Sequence, residues 1–393
     1  MGSAALDGLA QALARRRSDG LERVRRTTES AQGPRLSVDG RELLAFASND
    51  YLGLAAATEV IEAAREGARR YGAGAGASHL VTGHTAAHAA LEAELAAFVR
   101  PCDGARALLF SSGYLANLAI LTSLAGRTDA IFGDRLNHAC LNDGALLSRA
   151  SFERYPHGDV AALELRIEAV PARRRIVATD AVFSMDGDVA PLAALADVAS
   201  RHDAWLVIDD AHGFGVLGNG RGSLAHCGLA GERIVYMGTL GKAAGVAGAF
   251  VAAHPVVIET LIQTARPYIY TTASPPMTVE ALRASLALIA AGDARRARLA
   301  GLIAAFRAGA AGLPWKLLAS PTPIQPLVVG DAATAVAVSE ALLARGVLVP
   351  AIRPPTVPAG TARLRVSLSA AHTSADVAEL CSALHAVARE CSA

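Results

Sequence analysis

The chain has 393 residues, with 37 basic against 36 acidic side chains and a net charge of +1 when histidine is neutral. That balance excludes a strongly basic nucleic-acid binder and a protein held to a membrane surface by charge. Hydrophobic residues make up 52% of the chain, largely alanine, and no run of about 18 strongly apolar residues is present to span a bilayer, so a soluble protein is expected.

The length suggests about two to three domains. It is also enough to bury roughly three quarters of the unfolded chain's surface without disulfides or a structural metal. The N-terminus carries Asp7 and then Arg15, Arg16 and Arg17, without the ordered regions of a signal peptide, so a cytoplasmic protein is expected. Cys102, Cys140, Cys227, Cys381 and Cys391 form an odd set without a C-x-x-C pair, which points to thiols rather than a disulfide framework or zinc cluster. Lysine occurs only at Lys242 and Lys316, so any lysine chemistry has two candidates.

In chain order, residues 60–70 and 86–99 read as amphipathic helices on either side of the flexible segment 72–76. Short apolar or β-branched runs follow at 107–111, 130–133, 175–179, 205–209, 234–237 and 249–252. Helical patterns at 115–124, 160–170 and 192–202 lie between several of them. Continuous apolar strands separated by helices call for a parallel sheet covered on both faces. A long helix at 293–311, strands at 325–329 and 363–367 and a last helix from 374 to about 389 give the chain an α+β ending. We therefore divide it into an N-terminal segment 1–45, a large α/β domain 46–288 and a C-terminal α+β domain 289–393.

Open parallel sheets place their sites beyond the carboxyl ends of the strands. There the sequence repeatedly turns polar and glycine-rich: Ser111-Ser112-Gly113-Tyr114, Asp134 to His138, Phe183-Ser184-Met185-Asp186-Gly187, Asp209-Asp210-Ala211-His212-Gly213 and Gly238-Thr239-Leu240-Gly241-Lys242. Asp209 ends an apolar run and would be a partly buried carboxylate, which needs a cation or hydrogen-bond donors. Asp209 with His212 lacks a third ligand at suitable spacing, so no metal is expected. Lys242 is a lysine in a chain whose surface uses arginine, and only a deprotonated primary amine condenses with an aldehyde.

Two phosphate-loop readings fail. The P-loop pattern ending at Lys242 lacks its first glycine, where Tyr236 stands, and its hydroxyl, where Ala243 stands. Gly213-Phe214-Gly215-Val216-Leu217-Gly218 fits G-x-G-x-x-G, but Asn219-Gly220-Arg221-Gly222-Ser223 is not expected to open a helix and no acidic residue follows a second strand at the required distance. It is read as a loop. Pyridoxal 5′-phosphate (PLP) needs a lysine, a carboxylate at the pyridine nitrogen, a donor at the phenolic oxygen, a ring-stacking group and phosphate donors. Lys242, Asp209, His212, His138, Ser184, Thr239 and the amides near Gly113 supply that set.

Taken in order, Phe46-Ala47-Ser48-Asn49-Asp50-Tyr51-Leu52-Gly53-Leu54, Asp134-Arg135-Leu136-Asn137-His138, Phe183 to Gly187, Asp209 to Gly213 and Thr239 to Lys242 resemble the motifs of the α-oxoamine synthases, PLP enzymes of fold type I. The resemblance runs from about Leu6 to the last helix. It implies the aspartate aminotransferase-like fold, a large domain with a mainly parallel seven-stranded sheet and a smaller α+β C-terminal domain. Members of this family join a small amino acid to an acyl thioester with loss of carbon dioxide. The stretch from Ala351 to Arg365, with Ile352-Arg353-Pro354-Pro355-Thr356-Val357-Pro358, is similar to the branch that takes L-alanine and a pimeloyl thioester, in preference to the glycine and serine branches.

By that resemblance Lys242 holds the cofactor and Asp209 pairs with its pyridine nitrogen. His212 and Ser184 bond the phenolic oxygen, and His138 stacks on the ring and assists proton transfer. The Gly113 and Tyr114 amides and the Thr239 hydroxyl take the phosphate, which the second subunit of a homodimer also reaches through Thr272 in the segment Tyr270 to Pro276. Arg365 with Asn49 holds the amino-acid carboxylate, and Arg23, Arg353 and Thr356 contact the acyl side. His79 stands where many family members carry arginine, which leaves coenzyme A and acyl carrier protein both open as the thioester carrier.

Overall fold

Side chains alternate between the two faces of a strand, and the computed structural model, which describes residues 4–392, gives each set its own core. The first three residues of the expected N-terminal segment and the last residue of the C-terminal one lie outside the described residues. The strands are β1 (Arg35–Val38), β2 (Arg41–Ala45), β3 (Arg106–Phe110), β4 (Ala130–Asp134), β5 (Ser151–Tyr155), β6 (Arg175–Asp180), β7 (Trp205–Asp209), β8 (Ile234–Thr239), β9 (Ala249–Ala253), β10 (Lys316–Leu317), β11 (Ile324–Gly330), β12 (Val347–Leu348), β13 (Ala351–Ile352) and β14 (Ala362–Ser367).

The central sheet has seven strands in the order β3-β9-β8-β7-β6-β4-β5. All run parallel except β9, which is antiparallel to both β3 and β8. Phe132, Val177, Leu206, Ile208 and Tyr236 face one core, shared with the helices Ala86–Val99 and Leu192–Arg201 and with the C-terminal strands. Ile131, Ile176, Val207, Val235 and Met237 face the other, covered by the helices Gly113–Leu124, Ala139–Ser148 and Pro255–Thr264. The fully buried runs of β8 and β9 are thus the consequence of covering both faces. The sequence pattern missed β5, an edge strand whose polar residues show little burial before Tyr155.

β11 and β14 pair with β10 and β13 in a four-stranded antiparallel sheet. The hairpin of β1 and β2 extends through a parallel pairing of β2 with β12, so the opening of the chain is fixed to its last quarter. No helix of the described residues is long and apolar enough to cross a membrane.

The G-x-G-x-x-G segment folds as tight turns around a buried carboxylate. Asp210 Oδ2 accepts from the Ser223 N–H and the Tyr236 hydroxyl, both at 2.7 Å. A one-turn helix, Ser223–Cys227, does open there, where none was expected, and Asp210 takes its first amide. Gly222 has φ 93°, and a Cβ on it would lie 2.3 Å from Asp210 Oδ2 and 2.4 Å from the Tyr236 hydroxyl. Gly222→Ala therefore combines a left-handed backbone penalty with the loss of a buried hydrogen bond, at a cost of roughly 2–4 kcal/mol. The check is a clear fall in the urea midpoint; an unchanged midpoint would contradict this packing.

Candidate active site

Because β3, β4, β6, β7 and β8 run the same way, the polar segments that follow them meet at one rim of the sheet. Asp209 is the last residue of β7 and Lys242 lies just past the end of β8. The half-buried Lys242 places Nζ 2.9 Å from Nε2 of the buried His212, whose Nδ1 is 2.7 Å from the Tyr51 hydroxyl. That hydroxyl donates to Asn49 Oδ1 at 3.1 Å, which also accepts from Arg365 Nη1 and Nη2 at 3.3 Å.

The guanidinium is donor-only, so Asn49 Oδ1 accepts from it, and the Tyr51 hydroxyl holds the His212 ring through Nδ1. Burial first, then the positive charges of Lys242 and Arg365, hold the His212 pKa well below its ordinary value. Burial also lowers the Lys242 pKa, against the opposing pull of Asp209 and Asp180. The two effects favour a neutral imidazole beside an amine that releases its proton readily.

Asp209 is buried, and its Oδ2 accepts from Asn117 Nδ2 at 2.7 Å while Oδ1 accepts from the Ala211 N–H at 3.0 Å. The neighbouring Asp180 accepts the His138 N–H at 2.6 Å. Burial and then the Asp209 charge push the Asp180 pKa well upward. His138 caps the helix Ala139–Ser148, with the Cys140 Sγ 2.8 Å from its Nδ1. It is open at the rim, yet desolvation by the surrounding walls lowers its pKa. Gly113 begins the helix Gly113–Leu124, and a Cβ there would stand 3.9 Å from Thr239 Oγ1, so the helix amino terminus and that hydroxyl line one cradle suited to an anion.

The buried Arg365 on β14 donates from Nε to the Ser184 carbonyl at 2.6 Å and from Nη1 to Ser367 Oγ at 2.9 Å. Its Nη2 contacts are longer, 3.3 Å to Asn49 and 3.5 Å to Tyr51. Lys242, His212, Tyr51, Asn49, Arg365 and the Ser184 carbonyl therefore form one hydrogen-bonded line, with Asp209, His138, Gly113, Tyr114 and Thr239 on the same rim. Tyr114 is exposed, and its hydroxyl donates to Asp143.

Arg353, Thr356 and Arg23 form a separate group. Arg353 Nη2 reaches the Glu22 carbonyl at 2.5 Å, beside Arg23, and the Thr356 N–H bonds the Arg353 carbonyl at 3.1 Å. Thr272 is exposed and bridges Ser78. His79 stacks on Tyr268 at 4.9 Å between ring centroids. No hydrogen bond among the described residues ties these positions to Lys242. Sequence reasoning missed Asn117, which fixes Asp209, and the hydroxyl of Tyr51, which fixes His212. Tyr51 lay within a quoted motif, but Asn117 sits in an ordinary helical pattern with no local signal.

Over residues 41–384 the chain matches the aminotransferase class I and II family. It is 60% identical over 385 residues to the 8-amino-7-oxononanoate synthase of Nitrosospira multiformis, covering 98% of this chain and 96% of that one. The structure of SPT with PLP internal aldimine superposes with a TM-score of 0.92 at 30% identity, covering 98% of both chains. The crystal structure of 8-amino-7-oxononanoate synthase from Francisella tularensis does so with a TM-score of 0.77 at 32% identity, covering 89% of this chain and 98% of that one.

The wall of the site offers a test of its closure. Cys140 is buried against Asn117 and His138, and burial followed by the Asp209 charge pushes its thiol far above the usual range. Iodoacetamide at about pH 8 should leave Cys140 unmodified while it labels the exposed Cys391. Comparable labelling of the two, read by peptide mass spectrometry, would mean that this wall is open.

Proposed function

The chain belongs to the class I and II aminotransferase family and, within it, to the α-oxoamine synthases, and from that membership we propose that it condenses L-alanine with a pimeloyl thioester to give 8-amino-7-oxononanoate, carbon dioxide and the free thiol, a step of biotin biosynthesis. PLP is its cofactor. The observation that carries the chemistry is the half-buried amine of Lys242 beside a neutral His212, on the rim that also holds Asp209 and Arg365. The choice of alanine and a pimeloyl chain rests on the 60% identity to the Nitrosospira enzyme.

The donor set fits the cofactor. Lys242 Nζ would hold its aldehyde carbon, and Asp209, oriented by Asn117 and the Ala211 amide, would pair with its ring nitrogen. The His212 ring and the Ser184 hydroxyl would serve the phenolic oxygen, and His138 would stack on the ring. The amides of Gly113 and Tyr114, at the amino end of their helix, and the Thr239 hydroxyl would receive the phosphate. Thr272, exposed in this chain, would reach that phosphate from the other subunit of a homodimer. When bound, PLP supplies an electron sink for negative charge at the amino acid's α-carbon.

The chain's own residues do the rest. Arg365 takes the alanine carboxylate through Nη2, whose long contacts yield readily to a charge-assisted bond, and Asn49 keeps the guanidinium aimed. Lys242 Nζ removes the α-proton, a task helped by the burial that favours its neutral form. His138, on the same rim, would return a proton to the product. Arg23, Arg353 and Thr356, grouped apart from Lys242, would contact the acyl side, whose carrier is coenzyme A or acyl carrier protein.

Lys242→Ala is expected to remove the yellow absorbance of the bound cofactor and all turnover together; turnover surviving in the variant would overturn the assignment of the amine. Asp209→Asn should slow exchange of the alanine α-proton at least about a hundredfold, measured by NMR in deuterated water, whereas near-normal exchange would remove the role of the carboxylate. Titrating the purified protein with L-alanine, glycine and L-serine should perturb the cofactor spectrum at the lowest concentration with alanine. A preference for glycine or serine would move the protein to another branch of the family.

A further inference from the structure

Asp134 ends β4 with its carboxylate buried, and among the described residues no arginine or lysine meets it. The cation it does meet is His157, whose Nδ1 lies 3.1 Å and 3.2 Å from the two carboxylate oxygens. The other nitrogen, Nε2, lies 2.8 Å from Asp188 Oδ2. A neutral imidazole could donate to only one of these carboxylates and would turn a lone pair toward the other, so the ring carries a proton on each nitrogen. Phe183 presents its edge to the ring at a centroid distance of 4.4 Å.

Asp188 closes a turn. Its carbonyl accepts from the Phe183 N–H at 3.0 Å, the Phe183 carbonyl accepts from the Gly187 N–H at 2.8 Å, and Val182 bridges Val189. Three more of the turn's carbonyls are taken by the C-terminal part of the chain. Ser184 O accepts from Arg365 Nε at 2.6 Å, Met185 O from Arg363 Nη1 at 3.2 Å, and Gly187 O from the hydroxyls of Ser320 and Thr322 at 2.8 Å and 3.0 Å. Nothing in the assigned chemistry uses His157, yet it is tied through a single turn to both Ser184 and Arg365.

We propose that the His157 imidazolium, strung between Asp134 and Asp188, is a positioning residue that fixes the turn 183–188 against the sheet and thereby sets Ser184 and Arg365 for the amino-acid substrate; the last clause rests on the function proposed above. The charged groups facing the ring are those two carboxylates. The others on the surrounding elements are turned elsewhere: Asp186 to Arg363, Asp180 to the His138 amide, Asp159 to the Ala162 amide and Arg154 to the Arg135 carbonyl. Bonds to Asp134 and then Asp188 raise the His157 pKa from the ordinary 6.5 to about 10. The proton is bound more tightly in the folded chain, so the clamp acts in full below the ordinary imidazole range and is lost as pH rises through about 10.

The experiment compares the PLP-loaded wild type with Asp188→Asn, an isosteric change that removes the charge, and His157→Gln. Hydrogen exchange at the Phe183 and Gly187 amides, corrected for the intrinsic rate, should be at least about tenfold faster in both variants, with β8 amides unchanged. In the wild type the same protection should fall near pH 10, a step absent from His157→Gln. The L-alanine concentration that half-perturbs the cofactor spectrum should rise about tenfold in both variants. Should His157→Gln not fold, Asp188→Asn decides alone. Turn amides protected as in the wild type would overturn the clamp, and a loosened turn with unchanged alanine response would overturn its link to Arg365. A wild type that ignores L-alanine would instead overturn the proposed function, while the exchange rates still decide the clamp.

Discussion

Lys242 Nζ stands 2.9 Å from an imidazole nitrogen that the surroundings keep neutral, and the construction of the rim follows from holding that pair in place. A buried amine loses hydration when charged, and here the neighbouring acids return only part of that loss. The result is a nucleophile that sheds its proton without leaving the reach of Asp209. His212 cannot be held by Lys242 alone. Its second nitrogen is fixed by Tyr51, whose hydroxyl is fixed by Asn49, and Asn49 is fixed by Arg365 from a different sheet. The line begins at the residue assigned to the cofactor and ends at the one assigned to the substrate carboxylate.

That line also explains why two sheets are needed. The parallel sheet aligns the strand ends, but Arg365 belongs to β14, whose register with β11 is set by the antiparallel sheet. The turn 183–188 joins the two, leaving β6 toward the rim and giving its carbonyls to Arg363 and Arg365. A small rotation of the C-terminal strands relative to the central sheet would break these bonds together, so the substrate-facing cation is rigid only while both bodies are in contact.

Much of the architecture was legible because burial on both faces leaves uninterrupted apolar runs. The strand Trp205–Asp209 and the helix Ala86–Val99 have the bounds read from the pattern. β5 was not legible, since an edge strand has no need of such a run. Within the site, Lys242 stood out chemically, in a chain whose one other lysine is Lys316. Asn117 did not, because an asparagine in mid-helix reads as a surface residue until the fold carries it against Asp209, 92 residues away in sequence. The contact between Tyr51 and His212 spans 161 residues, and hydrophobic periodicity holds no information about a pairing of that kind.

The rim also shows how one residue type is divided among several roles by its neighbours alone. Aspartates close β4, β6 and β7, and a fourth follows directly as Asp210. Asp134 meets the His157 ring and the Leu136 and Gly158 amides. Asp180 accepts the His138 amide, and burial and then the nearby Asp209 charge outweigh the pull of Lys242 and favour its proton. Asp210 is closed in by Tyr236 and Ser223, and burial pushes it up to about 7. Asp209 alone among them has a side-chain amide on one flank and the Lys242 amine across the rim, without an ion-pair partner among the described residues. A carboxylate so placed can respond to a positive charge that arrives with a ligand, whereas its three neighbours are engaged by the fold.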